Sequence, residues 1–344
     1  MQFGIFDHID ARGEPLAPFY EDRMTFIRAV EAAGFYCYHM AEHHQTPLGM
    51  TPSPNVFMAA MARETSTIRM GPLIYMLPLY HPLRLIDEIC MVDHLSNGRL
   101  DIGIGRGISP YEVAYYGVEP DATRDMSEEY MDILLKGLTS KSLSHDGKYH
   151  QFTDVPMELE PLQKPYPPLW YGAGNEHGAR FSAQNGMNVV TLGATERVAG
   201  LVSLYADMWE EAKDEPRRKN GPVTDPLVGV SRHMFIAETD AEAERLARPA
   251  YAYWYNSLVK LWLVNNATPI TGMIIADYDE ACEKGVCVVG TAATVLDKLS
   301  SQLDQLAAVN YLVCQLAWGC LTHEQEMHSL NLFTTEVMPA LAAR

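Results

Sequence analysis

Four short stretches of the chain hold residues whose types and spacing suit chemistry. They are Ala41-Glu42-His43-His44; Pro72-Leu73-Ile74-Tyr75, running on to Leu77-Pro78 and His81-Pro82; Gly103-Ile104-Gly105-Arg106-Gly107-Ile108; and Tyr171-Gly172-Ala173-Gly174-Asn175. Imidazole titrates near neutral pH, so His43 and His44 suit general acid–base work or hydrogen bonding, with a structural histidine as the alternative for each. His39 and Glu42 lie close in sequence, but adjacent residues project in different directions and neither H-E-x-x-H nor facial-triad spacing is present, so no metal is expected. Asn175 is a good N-cap for a helix running toward Gly186, and the glycines ahead of it let a ligand approach backbone N–H groups, an arrangement that suits phosphate. Arg106, among glycines, is the natural guanidinium partner for that phosphate, whereas Glu176 would repel it if turned inward. An ordinary capped helix and a surface arginine fit the same residues.

These stretches need a scaffold that gathers strand ends. Strand-like and helix-like segments alternate along the chain with short connections, the pattern of a parallel sheet covered by helices. The expected strands are Gln2–Asp7, Tyr36–Met40, Arg69–Tyr75, Arg99–Gly105, Leu169–Gly172, Asn188–Leu192, Leu227–Ala237 and Tyr311–Leu316. Between them, Val198, Leu201, Val202, Tyr205, Met208 and Trp209 lay one apolar stripe along a helix, and Tyr130, Ile133, Leu134 and Leu138 lay another. Helix ends are signalled by Pro82 in a first turn, by Asn97-Gly98 after a last one, and by Thr322 with Gln325 as a capping box.

Eight β-α units in about 250 residues, plus insertions, is the arithmetic of a (β/α)8 TIM barrel, an α/β fold expected to span residues 1–344 as one domain. A doubly wound sheet would want a glycine fingerprint after the first strand, where only Gly13 stands, and Gly103 to Gly107 lacks the G-x-G-x-x-G spacing. In such a barrel the loops at the C-terminal strand ends build the active site, and all four stretches fall there. Two insertions exceed the rhythm: about 144–168, stiffened by Pro156, Pro161, Pro165, Pro167 and Pro168, and about 251–289. Connections longer than about 15 residues are usually functional lids or mobile segments.

Lys and Arg total 26 against 44 Asp and Glu, a formal charge of −18 that argues against nucleic acid as a partner. The densest basic run, Arg217-Arg218-Lys219, follows Asp214 and Glu215 and reads as a solvated helix end. No export signal and no run approaching about 18 apolar residues is visible, so a cytoplasmic protein without a membrane partner is expected. The six cysteines, Cys37, Cys90, Cys282, Cys287, Cys314 and Cys320, contain no C-x-x-C pair and read mostly as buried thiols.

The ordered motifs resemble those of the bacterial luciferase-like flavin monooxygenases. They include Ala41-Glu42-His43-His44, Pro54-Asn55, Leu77-Pro78 with His81-Pro82-Leu83-Arg84, Leu95 to Arg99, and Gly103 to Gly107. Gly117 with Arg124 and Glu128, Gly147-Lys148-Tyr149, Pro165 to Trp170, Ala183 to Gly186 and Val289-Gly290-Thr291 extend the likeness over nearly the whole chain. The resemblance implies a TIM barrel that uses FMN, in reduced form, with O₂ as cosubstrate and a separate flavin reductase as partner. It implies that Arg106 and Asn175, with the backbone around Gly174, His177 and Gly178, hold the FMN phosphate. It further implies that Phe6, Ala41, Gly105 and a non-prolyl cis peptide at Leu73-Ile74 line the flavin ring. By the same resemblance His43 is the catalytic histidine, with Glu42 and His44 beside it, the 251–289 insertion is an active-site loop, and a homodimer forms through helices near the second and third strands.

The expected activity is oxygenation of a small organic substrate, an aldehyde or ketone, in a pocket for which Met40, Met50, Met76 and Tyr75 are candidates. Departures matter. Gly105 stands where luciferase has its reactive cysteine, Gly174 where it has an acidic residue and Asn175 where it has serine, so light emission is not implied. Two alternatives stand beside this reading: a deazaflavin-dependent hydride-transfer oxidoreductase on the same barrel, and a flavin-binding barrel subunit without turnover.

Overall fold

A computed structural model describes residues 1–269 and 274–343. Its strands are β1 (Gln2–Asp7), β2 (Cys37–Met40), β3 (Arg69–Pro72), β4 (Tyr75–Met76), β5 (Ile102–Gly105), β6 (Ser142–Asp146), β7 (Gln151–Pro156), β8 (Leu169–Ala173), β9 (Asn188–Thr191), β10 (Val228–Ile236), β11 (Cys287–Gly290) and β12 (Tyr311–Gln315). The main sheet runs β3-β2-β1-β12-β10-β9-β8-β5-β4, every pair parallel. Met70 closes it into a barrel: its N–H donates to the Arg99 carbonyl at 2.9 Å and its carbonyl accepts from the Asp101 N–H at 2.8 Å. The barrel thus has eight positions, with β3 and β4 sharing one of them.

The single strand expected over Arg69–Tyr75 is broken at Leu73-Ile74, whose peptide bond is cis. Below the break β3 pairs with β2, and above it Tyr75 and Met76 pair with Ile104 and Gly105 of β5. Glycine is required where these strands touch. A Cβ on Gly103 would run into the Pro72 carbonyl, and one on Gly105 would lie 2.7 Å from the Ile74 side chain.

Three strands escape the sequence pattern. The proline-rich segment before β8 begins with a hairpin, β6–β7, that packs outside the barrel. Its turn is held by the Glu129 carboxylate, which accepts from the N–H groups of Lys148 (2.9 Å), Tyr149 (3.0 Å) and His150 (2.9 Å). β11 adds to the upper half of β10, pairing His233–Ile236 beyond the point where β9 ends. The segment expected as an insertion from residue 251 is instead helical at its start, because one helix runs Asp240–Val264; residues 270–273 of that segment lie outside the described residues.

The lower end of the barrel is filled. Trp170, Val190, Tyr311 and Val313 form an interior cluster, and the Tyr311 ring occupies the space that a side chain on Gly4 would need. The polar groups in this plug are paired: His39 Nε2 with the Tyr311 hydroxyl (2.9 Å), Trp170 Nε1 with Asp101 Oδ2 (2.9 Å), and Arg69 Nη2 with Asp101 Oδ1 (2.6 Å). Burial, with Arg69 nearby, lowers the His39 pKa to about 3, so its ring is neutral. The upper end, where the strands finish, remains open.

A second buried network ties the first and last units together. Arg23, from helix Leu16–Ala32, meets Glu326 of helix His323–Leu332 at 3.1 Å and Asp7 at the end of β1 at 3.4 Å. Asp7 in turn accepts from the Ile9 N–H at 2.7 Å and from the Tyr38 hydroxyl. The chain turns here with Ile9 at φ 55°, which fixes the direction of His8.

Candidate active site

The open end holds a cavity of about 460 Å³, within the range of small-molecule sites. Its lining takes in Phe6, Ala41, Glu42, His43, Leu73, Ile74, Gly105, Arg106, Gly174, Asn175, His177 and Gly178, so residues chosen from separate stretches of sequence share one space. His44 does not line it. That ring lies between Glu42 (Nε2 to Oε1, 3.0 Å) and the Tyr116 hydroxyl (2.9 Å), because neighbouring residues after β2 point apart. Of the methionine and tyrosine candidates for an apolar pocket, Met76 lines the cavity while Met40 and Tyr75 belong to the surrounding core.

His43 is anchored by a residue that the sequence does not single out. Its Nδ1 meets Glu112 Oε1 at 3.0 Å, and the same oxygen accepts from the His44 N–H at 3.3 Å. Glu112 sits in the first turn of helix Pro110–Tyr115, capped by Ser109, and is fully buried. Burial works against a charge on His43, but the Glu112 carboxylate, with Asp10 and Glu42 further off, outweighs it and raises the His43 pKa above its usual value. The shift favours the protonated ring, in which Nε2 is the second donor.

Glu42 is occupied. Oε1 takes His44, while Oε2 accepts from the Met76 N–H and the Tyr80 hydroxyl, each at 3.0 Å. The carboxylate thereby fixes the backbone just past the Leu73-Ile74 bond. Glu42→Ala leaves these donors unpaired in the interior and is expected to destabilise the fold by about 3 kcal/mol in urea unfolding; a loss under about 0.5 kcal/mol would show that the carboxylate holds nothing.

A flat wall and a cationic end follow. Leu73 and Ile74 face the glycine stretch of β5, and Gly107, at φ 83°, could not carry a Cβ without striking Met76. Beyond it, Asn175 Oδ1 accepts from the Gly178 N–H at 2.9 Å and caps helix Glu176–Gln184. Glu176 does not line the cavity, so it does not oppose an anion there. Arg106 lies on the lining together with Arg124 and Arg197, the last held by the Gly174 carbonyl, and Ser127 adds a hydroxyl. Glu128 stands at the same end and offsets part of this charge. Tyr171 reports the grouping: burial raises its pKa, and Arg106 and Arg124 both act against that rise. Guanidinium groups around a helix N-terminus suit a phosphate.

The remaining wall draws in part on the 251–289 segment expected as an active-site loop, and otherwise on residues the sequence does not single out. His8 stacks against His43 with ring centroids 5.9 Å apart, and its Nδ1 accepts from Trp254 Nε1 at 3.3 Å. Burial, followed by His43 and His233, holds the His8 pKa well below its usual value, so His8 is neutral and carries its proton on Nε2. Tyr251, Trp254 and Leu258 of helix Asp240–Val264, with Ile274 and Ile275, cover this side with apolar surface. His233 of β10 and Gln315 of β12 complete it. The signal that could have found them is the strand period of two, which puts Ser231 and His233 on one face.

The geometry offers a proton-holding imidazole, a flat apolar slot and a cationic end in one enclosure. Comparison with known proteins agrees. The family model described as luciferase-like monooxygenase matches residues 1–308. An uncharacterized protein of Sinorhizobium fredii, y4wF, is 38% identical over 98% of this chain and 96% of its own length. The oxygenase component of the flavin-dependent trigonelline monooxygenase of Acinetobacter baylyi is 26% identical over 99% of this chain and 96% of its own. The oxygenating constituent of 3,6-diketocamphane monooxygenase from Pseudomonas putida, a type II Baeyer–Villiger monooxygenase solved with FMN, shares the fold at a TM-score of 0.80 and 22% identity over 98% of each chain. With its model matching most of the chain and a relative this similar along nearly the full length, the protein belongs to the luciferase-like monooxygenase family and is a monooxygenase enzyme.

Proposed function

We propose that the chain is the oxygenase component of a two-component FMN-dependent system, oxygenating a small organic aldehyde or ketone. The observation that carries this reading is that His43, Leu73, Ile74 and Arg106 line one cavity. Arg106, Arg124, Arg197, Ser127 and the capped helix at Asn175 would hold the FMN phosphate, with the backbone at Gly174, His177 and Gly178 closing around it. Phe6, Ala41, Leu73, Ile74 and Gly105 would border the ring. Reduced FMN, when bound, supplies the electrons for oxygen activation that no side chain here can provide.

The protein's own part is placement, dryness and one proton. His43, oriented by Glu112, holds a proton on Nε2 at the cavity and can deliver it to an oxygen that gains negative charge. Trp254, Tyr251, Leu258 and Ile275 exclude water on the opposite side. Reducing equivalents would come from a separate reductase, because Gly103 and Gly105 serve strand packing and no dinucleotide fingerprint follows β1. The relative from Acinetobacter baylyi, named as an oxygenase component, and the FMN-bound neighbour support the same arrangement.

Arg106→Ala is expected to weaken FMN binding by about 10- to 100-fold, the worth of a charge-assisted hydrogen bond, and to leave riboflavin binding unchanged. Fluorescence titration of both ligands checks it. An equal loss for riboflavin would move Arg106 away from the phosphate. A homodimer belongs to the same proposal: Val56, Met91 and Leu95 lie exposed on helices Pro54–Glu64 and Pro82–Leu95. Sedimentation showing only a 38.5 kDa species would remove it.

A further inference from the structure

The cavity contains a pair of polar side chains with unused hydrogen-bonding capacity. His233 is 2% exposed and, among the described residues, neither of its ring nitrogens has a partner; Gln315 is 4% exposed, and its Oε1 has none among them either. They are direct neighbours across the β10–β12 pairing, His233 opposite Gln315, and both line the cavity. Gln315 spends its Nε2 on the Ser231 hydroxyl at 3.0 Å, which fixes the amide and leaves Oε1 as the free acceptor. Around the imidazole stand Trp254, Trp318 and Tyr251, with ring centroids at 4.2, 5.3 and 5.6 Å. A natural core does not leave such groups unpaired without reason.

Their place in the barrel separates them from the cationic end. Counting positions around the ring, β10 lies opposite the β3–β4 position that carries Leu73 and Ile74, and β12 lies opposite β5 with Arg106. Whatever rests against Leu73-Ile74 with its anion at Arg106 therefore leaves His233 and Gln315 on the far side of the slot, where a second molecule enters. The pair is also selective in charge. Burial, and then Arg232, holds the His233 pKa near 3, so it is neutral, and the Arg232 guanidinium is turned to Gln302, Thr195 and the Gly193 carbonyl. A neutral imidazole beside an amide oxygen offers an anion little, but it matches a hydroxyl, which donates to one and accepts from the other.

We propose that His233 and Gln315 form a specificity subsite that reads a neutral hydroxyl group on a ring-bearing substrate, at the end remote from the bond that reacts. The proposal rests on the functional reading above, since it takes the opposite wall for the flavin. Trp254 and Tyr251, which line the cavity, account for the ring; the free acceptor and the imidazole account for the hydroxyl.

The test uses two probes of equal shape, 3-hydroxybenzaldehyde and 3-methylbenzaldehyde, titrated calorimetrically into the full-length protein at a pH where the phenol is neutral. The wild type is expected to bind the hydroxyl compound about 10-fold more tightly, the worth of one buried hydrogen bond, and Gln315→Leu and His233→Leu are each expected to erase that preference. Equal affinities in the wild type, or tighter binding of the methyl compound, overturn the proposal without need of any variant. A preference that survives in both variants overturns it as well. FMN titration of the same samples separates the two readings: variants that lose FMN assign the pair to the cofactor, whereas a wild type that prefers the hydroxyl probe yet never binds FMN keeps the subsite and removes the flavin.

Discussion

Replacing His43 by alanine is expected to lower the rate of product formation from an aldehyde that the wild type oxygenates by about 10²- to 10⁴-fold, the usual contribution of a positioned acid or base. FMN affinity should change little, because the cationic end lies across the cavity. A fall of less than about fivefold would show that the proton is managed elsewhere. Glu112→Gln provides the finer test. The carboxylate raises the His43 pKa, so its loss lowers that pKa, and activity that depends on protonated His43 should fail at lower pH than in the wild type. The linkage has the same sign: with a folded pKa above the unfolded value, the pair contributes stability that is full below about pH 6.5 and is lost as pH rises through the folded pKa. A pH–rate profile whose alkaline limb stays in place in Glu112→Gln contradicts the assignment.

Arg23→Ala should produce the largest loss of stability, about 3–5 kcal/mol by urea unfolding, because it takes the shared guanidinium from two buried carboxylates at once and leaves Glu326 to Arg12. Asp7 and Glu326 both face the guanidinium, and burial already raises Glu326 to about 7 with Arg23 and Arg12 acting against it. The consequence reaches the site through Asp7, which holds the Ile9 N–H and so the turn that presents His8. A loss below about 1 kcal/mol would mean that water enters the network and solvates the acids.

The barrel was legible because parallel strands buried on both faces leave dense apolar runs between amphipathic helices. The stripe from Val198 to Trp209 is buried as its spacing requires. The strand ends bearing Glu42-His43, Arg106 and Gly174-Asn175 were legible for the same reason, since a barrel sends all of them to one end. What stayed hidden depends on contacts distant in sequence. Glu112 looks like one acid of a short helix until it is seen against a histidine 69 residues away. Ser-Leu-Ser-His-Asp of β6 alternates weakly and packs outside the barrel, and Cys-Val-Val-Gly of β11 is too short to stand out. His233 and Gln315 sit in strands that read as continuous core, where period alone does not say which polar residue is left without a partner.

On the proposed reading this cavity takes a flavin with its phosphate at Arg106 and its ring against Leu73-Ile74. Titrating the apoprotein in parallel with reduced FMN, oxidised FMN and a deazaflavin tests it most directly. Reduced FMN is expected to bind most tightly, and Arg106→Ala to remove most of that affinity. Tight binding of the deazaflavin with neither form of FMN retained, or no flavin bound at all, would contradict it.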